Sequence, residues 1–483
     1  MLSLTEYARA DAHELMRWVR RGEVSAQELS RCALRAIDAL DPQLNFMVSR
    51  SVGADALPAP GTERAAFHGL PFLAKSNGGT RGQPMAMASR LAHGLVSPHD
   101  SEFVRRLRAT GIALLGSTNV PEFGSSPTTE SVLHGPARNP WNLAHSCGGS
   151  SGGSSAAVAA GVVPVAQSTD GGGSIRTPAH CCGVFGLKPS RGRNPSGLGG
   201  QGGPFGIGCA HVATRSVRDS AAFLDATAGD EPGALYRCVP PERPFADEVG
   251  RSPGRLRVAL WTGSPSGVGM DPACTEAVIH AARHLAALGH AVEEASPPLP
   301  WEDFVQAMLD LWSLGFPLAV AELAQLSGRS PGLDTLESSS LRLWQHGLEL
   351  TPERIERSTR TMHRTVCELD RFLQRFDVVL SAVDIRPAPR LGEIDANGPW
   401  VNARAWFDAA VTQFCPHTPL YNFGGQPAMA VPWSRSPAGL PVGVQFAAQW
   451  GGEAVLLRLA AQLEATHPWA DNLAPLHAAR LEN

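Results

Sequence analysis

The chain has 483 residues, 43% hydrophobic and 18% charged, with 41 Lys plus Arg against 45 Asp plus Glu and a formal net charge of −4. This is the composition of a globular protein with ample apolar chain for a core, and its charge balance excludes the electrostatic footprint of a nucleic-acid binder. Nine scattered cysteines without a CxxC pair argue against a disulfide scaffold or a zinc ribbon and fit reduced thiols in a cytoplasmic setting. The opening MLSLTEYARADAHELMRW has no apolar signal core, and no uninterrupted apolar run approaches the ~18 residues of a membrane span, so no membrane partner is expected.

In chain order, Ser25-Ala-Gln-Glu28 fits a capping box and predicts a helix over about 26–40, with Leu29, Cys32, Ala33, Ala36, Ile37 and Leu40 on its core face. Residues Gly69 to Lys75 read as a short buried strand that ends on a lysine. A helix is expected over 100–110, then a strand at Ile112–Leu115, a helix at Ser154–Ala160 and a strand at Val162–Ala166. Residues 190–208, rich in Gly, Pro and Ser, read as a long surface loop, and 228–254 as a linker between two lobes. A strand follows at Leu256–Trp261, a helix at Cys274–Leu288 closed by Gly289, and a long helix at 352–375 before the strand Val378–Leu380. Ala428–Pro432 and Val442–Phe446 read as paired strands about a turn at 437–439, and the last helix covers 453–464. This alternation predicts an α/β fold, a large mixed central sheet covered by helices on both faces.

The stretch from Cys147 to Pro178, CGGSSGGSSAAVAAGVVPVAQSTDGGGSIRTP, is the most unusual part of the chain. A flexible Gly/Ser linker would not run into an Ala/Val helix, a buried strand and a second glycine turn. A phosphate-cradling loop would need a GxxxxGKS or GxGxxG pattern, and neither is present. Amide hydrolysis needs a hydroxyl that loses its proton, donors aimed at the oxyanion, and a protonated leaving amine. Asp170-Gly171-Gly172-Gly173-Ser174 has the composition for converging backbone N–H groups next to a hydroxyl. His134, His145 and His180 flank this region, but no GxSxG elbow accompanies them, and they read as structural residues. Cys147, Cys181 and Cys182 lack an activating motif and read as packing residues. No HExxH or comparable ligand spacing is present, so neither a metal nor another cofactor is expected.

GGSSGGSSAAVAAG followed by TDGGGSIRTPAHCCGVFGLKPSRGR closely resembles the amidase signature. GLPFLAKSN, GSTNVPEFG, GPARNPWN, TRSVRD at 214–219 and NFGGQPAMAVP with GLPVGVQ at 422–445 extend the resemblance over most of the chain. The layout is most like that of bacterial amidases resembling 6-aminohexanoate cyclic dimer hydrolase. The resemblance implies an amidase signature fold in a single domain over 1–483, with the signature core at about 65–220 and a variable, substrate-facing region at about 300–425. It also implies Ser174 as nucleophile, Ser150 as a relay held by a cis peptide, Lys75 as base, and Gly171, Gly172, Gly173 and Ser174 as oxyanion donors. Ser151, Asp170 and Arg176 would be supporting residues. Burial would lower the Lys75 pKa from the ordinary ~10.4 and make a neutral base available.

Two positions depart from the family pattern: Ser76 stands where an Asp usually follows the lysine, and Gly171 where a larger residue is usual. Gly124, Ser125 and Trp312 are the candidate substrate contacts, Trp312 taking the place of a substrate-facing cysteine. The expected reaction is hydrolysis of a small-molecule carboxamide, lactam or other small amide to a carboxylic acid and an amine or ammonia. A transacylase and an amidotransferase subunit are the alternatives. The expected partners are the small-molecule amide and, compatibly, a second copy of the chain as a homodimer, with no nucleic acid and no membrane.

Overall fold

The Ser25 hydroxyl accepts from Glu28 N while the Glu28 carboxylate accepts from Ser25 N, and this reciprocal cap opens the first long helix. The structure, a computed structural model, describes every residue except 1, 52, 196–202 and 483. Of the surface loop expected over 190–208, residues 196–202 therefore lie outside the described residues. The helices used below are α1 (Ala26–Leu44), α2 (Gly152–Ala159), α3 (Arg176–Cys182), α4 (Pro272–Ala287), α5 (Trp301–Ser313), α6 (Phe316–Ser327), α7 (Pro352–Leu373), α8 (Thr418–Gly424) and α9 (Glu453–Thr466).

Eleven strands form one sheet. In chain order they are β1 (Met47–Arg50), β2 (Pro71–Lys75), β3 (Ala113–Thr118), β4 (Val165–Asp170), β5 (Phe185–Lys188), β6 (Cys209–Thr214), β7 (Arg257–Leu260), β8 (Ala291–Glu294), β9 (Val378–Ala382), β10 (Ala428–Arg435) and β11 (Pro441–Ala448). Across the sheet the order is β1-β3-β2-β4-β6-β5-β10-β11-β9-β7-β8. β2 runs parallel to β3 and β4, and β7 parallel to β8 and β9, while the centre from β4 to β9 is antiparallel. The sheet is thus mixed, as expected. The stretch 228–254 does not separate two sheets: strands on both sides of it belong to this one.

Side chains alternate between two packed faces, as the strand period of two requires. On β11, Val442, Val444 and Phe446 join the core under α4 and α9, while Ala447 faces the layer of α5 and α7. On β9, Val378 and Leu380 share the first face and Val379 the second. A further core lies between α1 and β2, β3 and β4.

Most expected elements occur with shifted ends; α1 continues through Pro42 to a left-handed Asn45. One strand moves further. The strand is Val165–Asp170, not Val162–Ala166. Val162 and Val163 are buried without being extended ladder residues, and the ladder instead runs on through Gln167, Ser168, Thr169 and Asp170. These residues are polar because the end of β4 is where the polar site begins.

No uninterrupted apolar run reaches membrane length, but one stretch qualifies by mean hydropathy. Residues Trp301–Ser327 are long and apolar enough by length and composition, with charged residues spread through them. They form α5 and α6, and more than half of an apolar 18-residue segment within the stretch is buried inside the protein.

Candidate active site

β2 delivers Lys75 at its last residue, so the lysine emerges from the sheet at the C-terminal edge, where α/β sheets bind ligands. Its side chain is buried, and Nζ lies 2.8 Å from both Ser150 Oγ and Thr169 Oγ1. Burial pulls the amine down from its ordinary value to about 7, against the opposing pull of the Asp170 charge. No carboxylate sits at the neighbouring position, because Ser76 occupies it, buried in the same cavity wall. Ser150 opens the turn into α2, and the Gly149–Ser150 peptide is cis. Ser151 ties this turn down: its hydroxyl accepts from Thr169 N and its N–H donates to the Ser174 carbonyl.

The glycine turn between β4 and α3 is organised by one carboxylate. Asp170 Oδ1 accepts from Gly173 N at 2.7 Å, and Oδ2 from Ile175 N at 3.1 Å. Arg176 grips the same carboxylate in a two-pronged pair, Nε to Oδ2 and Nη2 to Oδ1, both at 2.9 Å. The guanidinium also donates to Asn422 Oδ1 on α8 and to Gln445 Oε1 on β11. Asn422 Nδ2 in turn donates to Asp170. Both charges are fully buried. Burial alone would raise the Asp170 pKa, but the Arg176 charge and hydrogen bonds hold it well below the usual carboxylate range. Asp170 and Arg176 thus hold the glycine turn in shape.

This network changes the account of the oxyanion donors. The Gly173 N–H is committed to Asp170, so it is not free to face a developing oxyanion. Gly173 instead serves the turn, with φ +135° and a Cβ position only 2.3 Å from Thr418 Oγ1, where no other residue fits. The N–H groups of Gly171, Gly172 and Ser174 have no hydrogen-bond partner among the described residues.

Two chambers meet at Ser174. The larger, about 340 Å³, holds Lys75, Ser150 and Thr169 at its polar end and has apolar walls from Met87, Phe123, Phe316 and Ala319. The smaller, about 50 Å³, is walled by Met308, Trp406, Phe407, Ala410 and Val411. Gly124, Trp312 and Ser174 border both. The indole Nε1–H of Trp312 donates to Ser125 Oγ at 2.8 Å, so ring and hydroxyl stand as a partition between the chambers. A Cβ at Gly171 would lie 3.2 Å from Trp312 Cη2. The small residue at position 171 and the large one at 312 are therefore fitted to each other, which accounts for the unusual glycine.

The three expected catalytic side chains converge on one cavity, as do Gly124 and Trp312, with Ser125 lining the smaller chamber. The competing histidines and cysteines do not line either chamber among the described residues. His180 accepts from Gly443 N, and burial lowers it to about 4. Burial pushes the thiols of Cys147, Cys181 and Cys182 up, away from thiolate chemistry. Thr169, Asn422 and Gln445 were not singled out in the sequence. The last two lie inside the stretches at 422–445 that carry the resemblance, but nothing local marks them as partners of a residue some 250 positions earlier.

The amidase family model matches residues 28–457. A 6-aminohexanoate-cyclic-dimer hydrolase of Paenarthrobacter ureafaciens is 35% identical over 471 residues, 95% of each chain. The putative amidase AmiC of Mycobacterium leprae (strain TN) is 36% identical over 467 residues, 95% of this chain and 96% of that one. Among solved structures, 6-aminohexanoate cyclic dimer hydrolase superposes with a TM-score of 0.89 at 33% identity, covering 99% of this chain and 100% of that one. A bacterial aryl acylamidase of the amidase signature family gives 0.83 at 25% identity, covering 96% and 98%.

Proposed function

We propose that this chain, which belongs to the amidase signature family, hydrolyses small carboxamides through an acyl-enzyme on Ser174, with Ser150 and Lys75 relaying the proton. Ser174 Oγ attacks the amide carbonyl carbon; its proton passes to Ser150, and the Ser150 proton passes to neutral Lys75. The N–H groups of Gly171, Gly172 and Ser174 receive the oxyanion. Collapse of the tetrahedral intermediate breaks the C–N bond, and the proton returns from Lys75 through Ser150 to the departing nitrogen. Water then attacks the ester carbon as its proton passes through Ser150 to Lys75; collapse breaks the C–O bond to Ser174, and the proton returns through Ser150 to the Ser174 oxygen. The products are a carboxylic acid and an amine or ammonia.

The observation that carries this reading is the Lys75 amine, buried and 2.8 Å from Ser150, in a cavity it shares with Ser174. A lysine works as base only when neutral, and desolvation is what makes it so. Relatives named for cyclic-dimer hydrolysis and for aryl acyl amides support amides, linear or cyclic, as the substrate class. Turnover of an amide panel by the wild type and by Ser174→Ala tests the reading. The expected result is a loss of at least roughly 10⁴-fold in a variant that folds normally. Undiminished turnover in Ser174→Ala removes the serine from the mechanism.

A further inference from the structure

The two chambers differ in which reacting group they can serve. The leaving nitrogen must receive a proton, and in the serine mechanism proposed above, on which this inference rests, that proton comes from Ser150. Ser150 and Lys75 border the larger chamber and, among the described residues, not the smaller one. Ser174 borders both, and the turn that carries the free N–H groups straddles them, with Gly171 on the larger side and Gly172 on the smaller. A carbonyl carbon bonded to Ser174 therefore has its nitrogen substituent on the Lys75 side and its carbon substituent on the other.

We infer that the small chamber behind Trp312 receives the acyl chain and the large chamber the amine, so that the preferred substrates are short-chain acyl amides of bulky apolar amines. The dimensions support this. About 50 Å³ holds roughly three to five water-sized groups, enough for a short aliphatic chain. Its walls, Met308, Trp406, Phe407, Ala410 and Val411, offer no charge and suit an alkyl group. The large chamber, at about 340 Å³, presents Phe123 and Phe316, which suit an aromatic or extended apolar amine. Trp312 is the residue that sets the acyl limit. Its ring closes the small chamber against the large one, braced by the bond to Ser125 at 2.8 Å and lying over the glycine turn, where a Cβ at Gly171 or Gly172 would come within 3.2 or 3.5 Å of it.

The test uses the full chain and chromogenic 4-nitroanilides with acetyl, butyryl and octanoyl groups, with Ser174→Ala as the blank. The wild type is expected to lose at least ~10-fold in kcat/KM from butyryl to octanoyl, because each group that does not fit a closed pocket forfeits binding to the transition state. Trp312→Ala, which joins the chambers, is expected to raise the octanoyl-to-butyryl ratio at least ~10-fold. Ala410→Phe, which fills the small chamber from its far wall, is expected to lower the butyryl-to-acetyl ratio by a similar factor, and it carries the test if the Trp312 variant does not fold. A wild type that prefers octanoyl overturns the assignment. So do ratios that neither variant moves while turnover still depends on Ser174, and these outcomes leave the serine reading intact. Turnover that persists in Ser174→Ala overturns both.

Discussion

The turn Asp170–Arg176 and the wall made by α5, α6 and residues 403–415 meet at Ser174 and are built from opposite materials. In the turn, a fully buried carboxylate and guanidinium satisfy each other, three backbone N–H groups and two amide side chains. Among the wall residues that line the chambers, Met308, Phe316, Trp406, Phe407 and Val411 make apolar contacts and Trp312 donates a directed hydrogen bond to Ser125, while the ion pairs of Asp310 and Arg404 involve residues that line neither chamber. Directed bonds fix one geometry, and a buried network with a missing member is costly. Apolar walls tolerate exchange of shape at modest cost. In the proposed reading the turn is where the chemistry is held constant, and the wall is where the substrate is chosen.

The contrast breaks most severely if the proposed base is removed. Lys75→Ala is expected to lower kcat by about 10²–10⁴-fold, the usual worth of a positioned general base, and Lys75→Arg is expected not to restore it, since guanidinium stays protonated. Steady-state kinetics on any accepted amide reads this directly. Next comes the clasp. Asp170→Asn leaves the Arg176 guanidinium buried with its counter-charge gone, which costs about 3–5 kcal/mol of stability for such pairs. Thermal or urea unfolding measures it. The sign with pH follows from the depressed Asp170 pKa. Its stabilisation is present above the ordinary ~3.9 and is lost as pH falls toward the folded value, so the variant should lose part of the acid limb of the stability curve.

Smaller effects sharpen the comparison. Ser76→Asp places a carboxylate beside Lys75, which favours the charged amine, and should move the rise of rate with pH upward by about 1 unit or more. A pH–rate profile of kcat/KM checks it. Gly171→Ala brings a methyl to within 3.2 Å of Trp312 and should cost the few-fold that mild overpacking causes; pairing it with Trp312→Leu should recover the loss. Four kcat/KM values form the cycle.

Much of this contrast is legible in the sequence, and the limits have physical causes. Strands with apolar runs, such as β2, β9 and the β10–β11 hairpin, announce themselves by burial. The polar second half of β4 hides this strand from a reading by apolar runs, and it is polar because Thr169 and Asp170 belong to the site. Ser174 is marked by the glycine run that precedes it, whereas Ser150 and Lys75 are assigned through the resemblance of their segments to the amidase signature family. The Gly173 donor could not be judged that way. Composition shows that an N–H is available, but only the fold shows that Asp170 has already taken it. Asn422 and Gln445 act on Arg176 from the far end of the chain, through contacts that no local pattern encodes. The pairing of Gly171 with Trp312 is of the same kind, each residue being odd alone and sensible together.

The relay from Ser174 through Ser150 to Lys75 is tested most directly by the rate at which a fluorophosphonate labels Ser174, measured from pH 5 to 10 in the wild type and in Lys75→Ala, with the modified residue located by peptide mass. A rise through about pH 7 in the wild type, on Ser174 alone, and a slow, flat profile in the variant are expected from a buried lysine that is neutral above that point. The same rise in Lys75→Ala, or label on another residue, would contradict it.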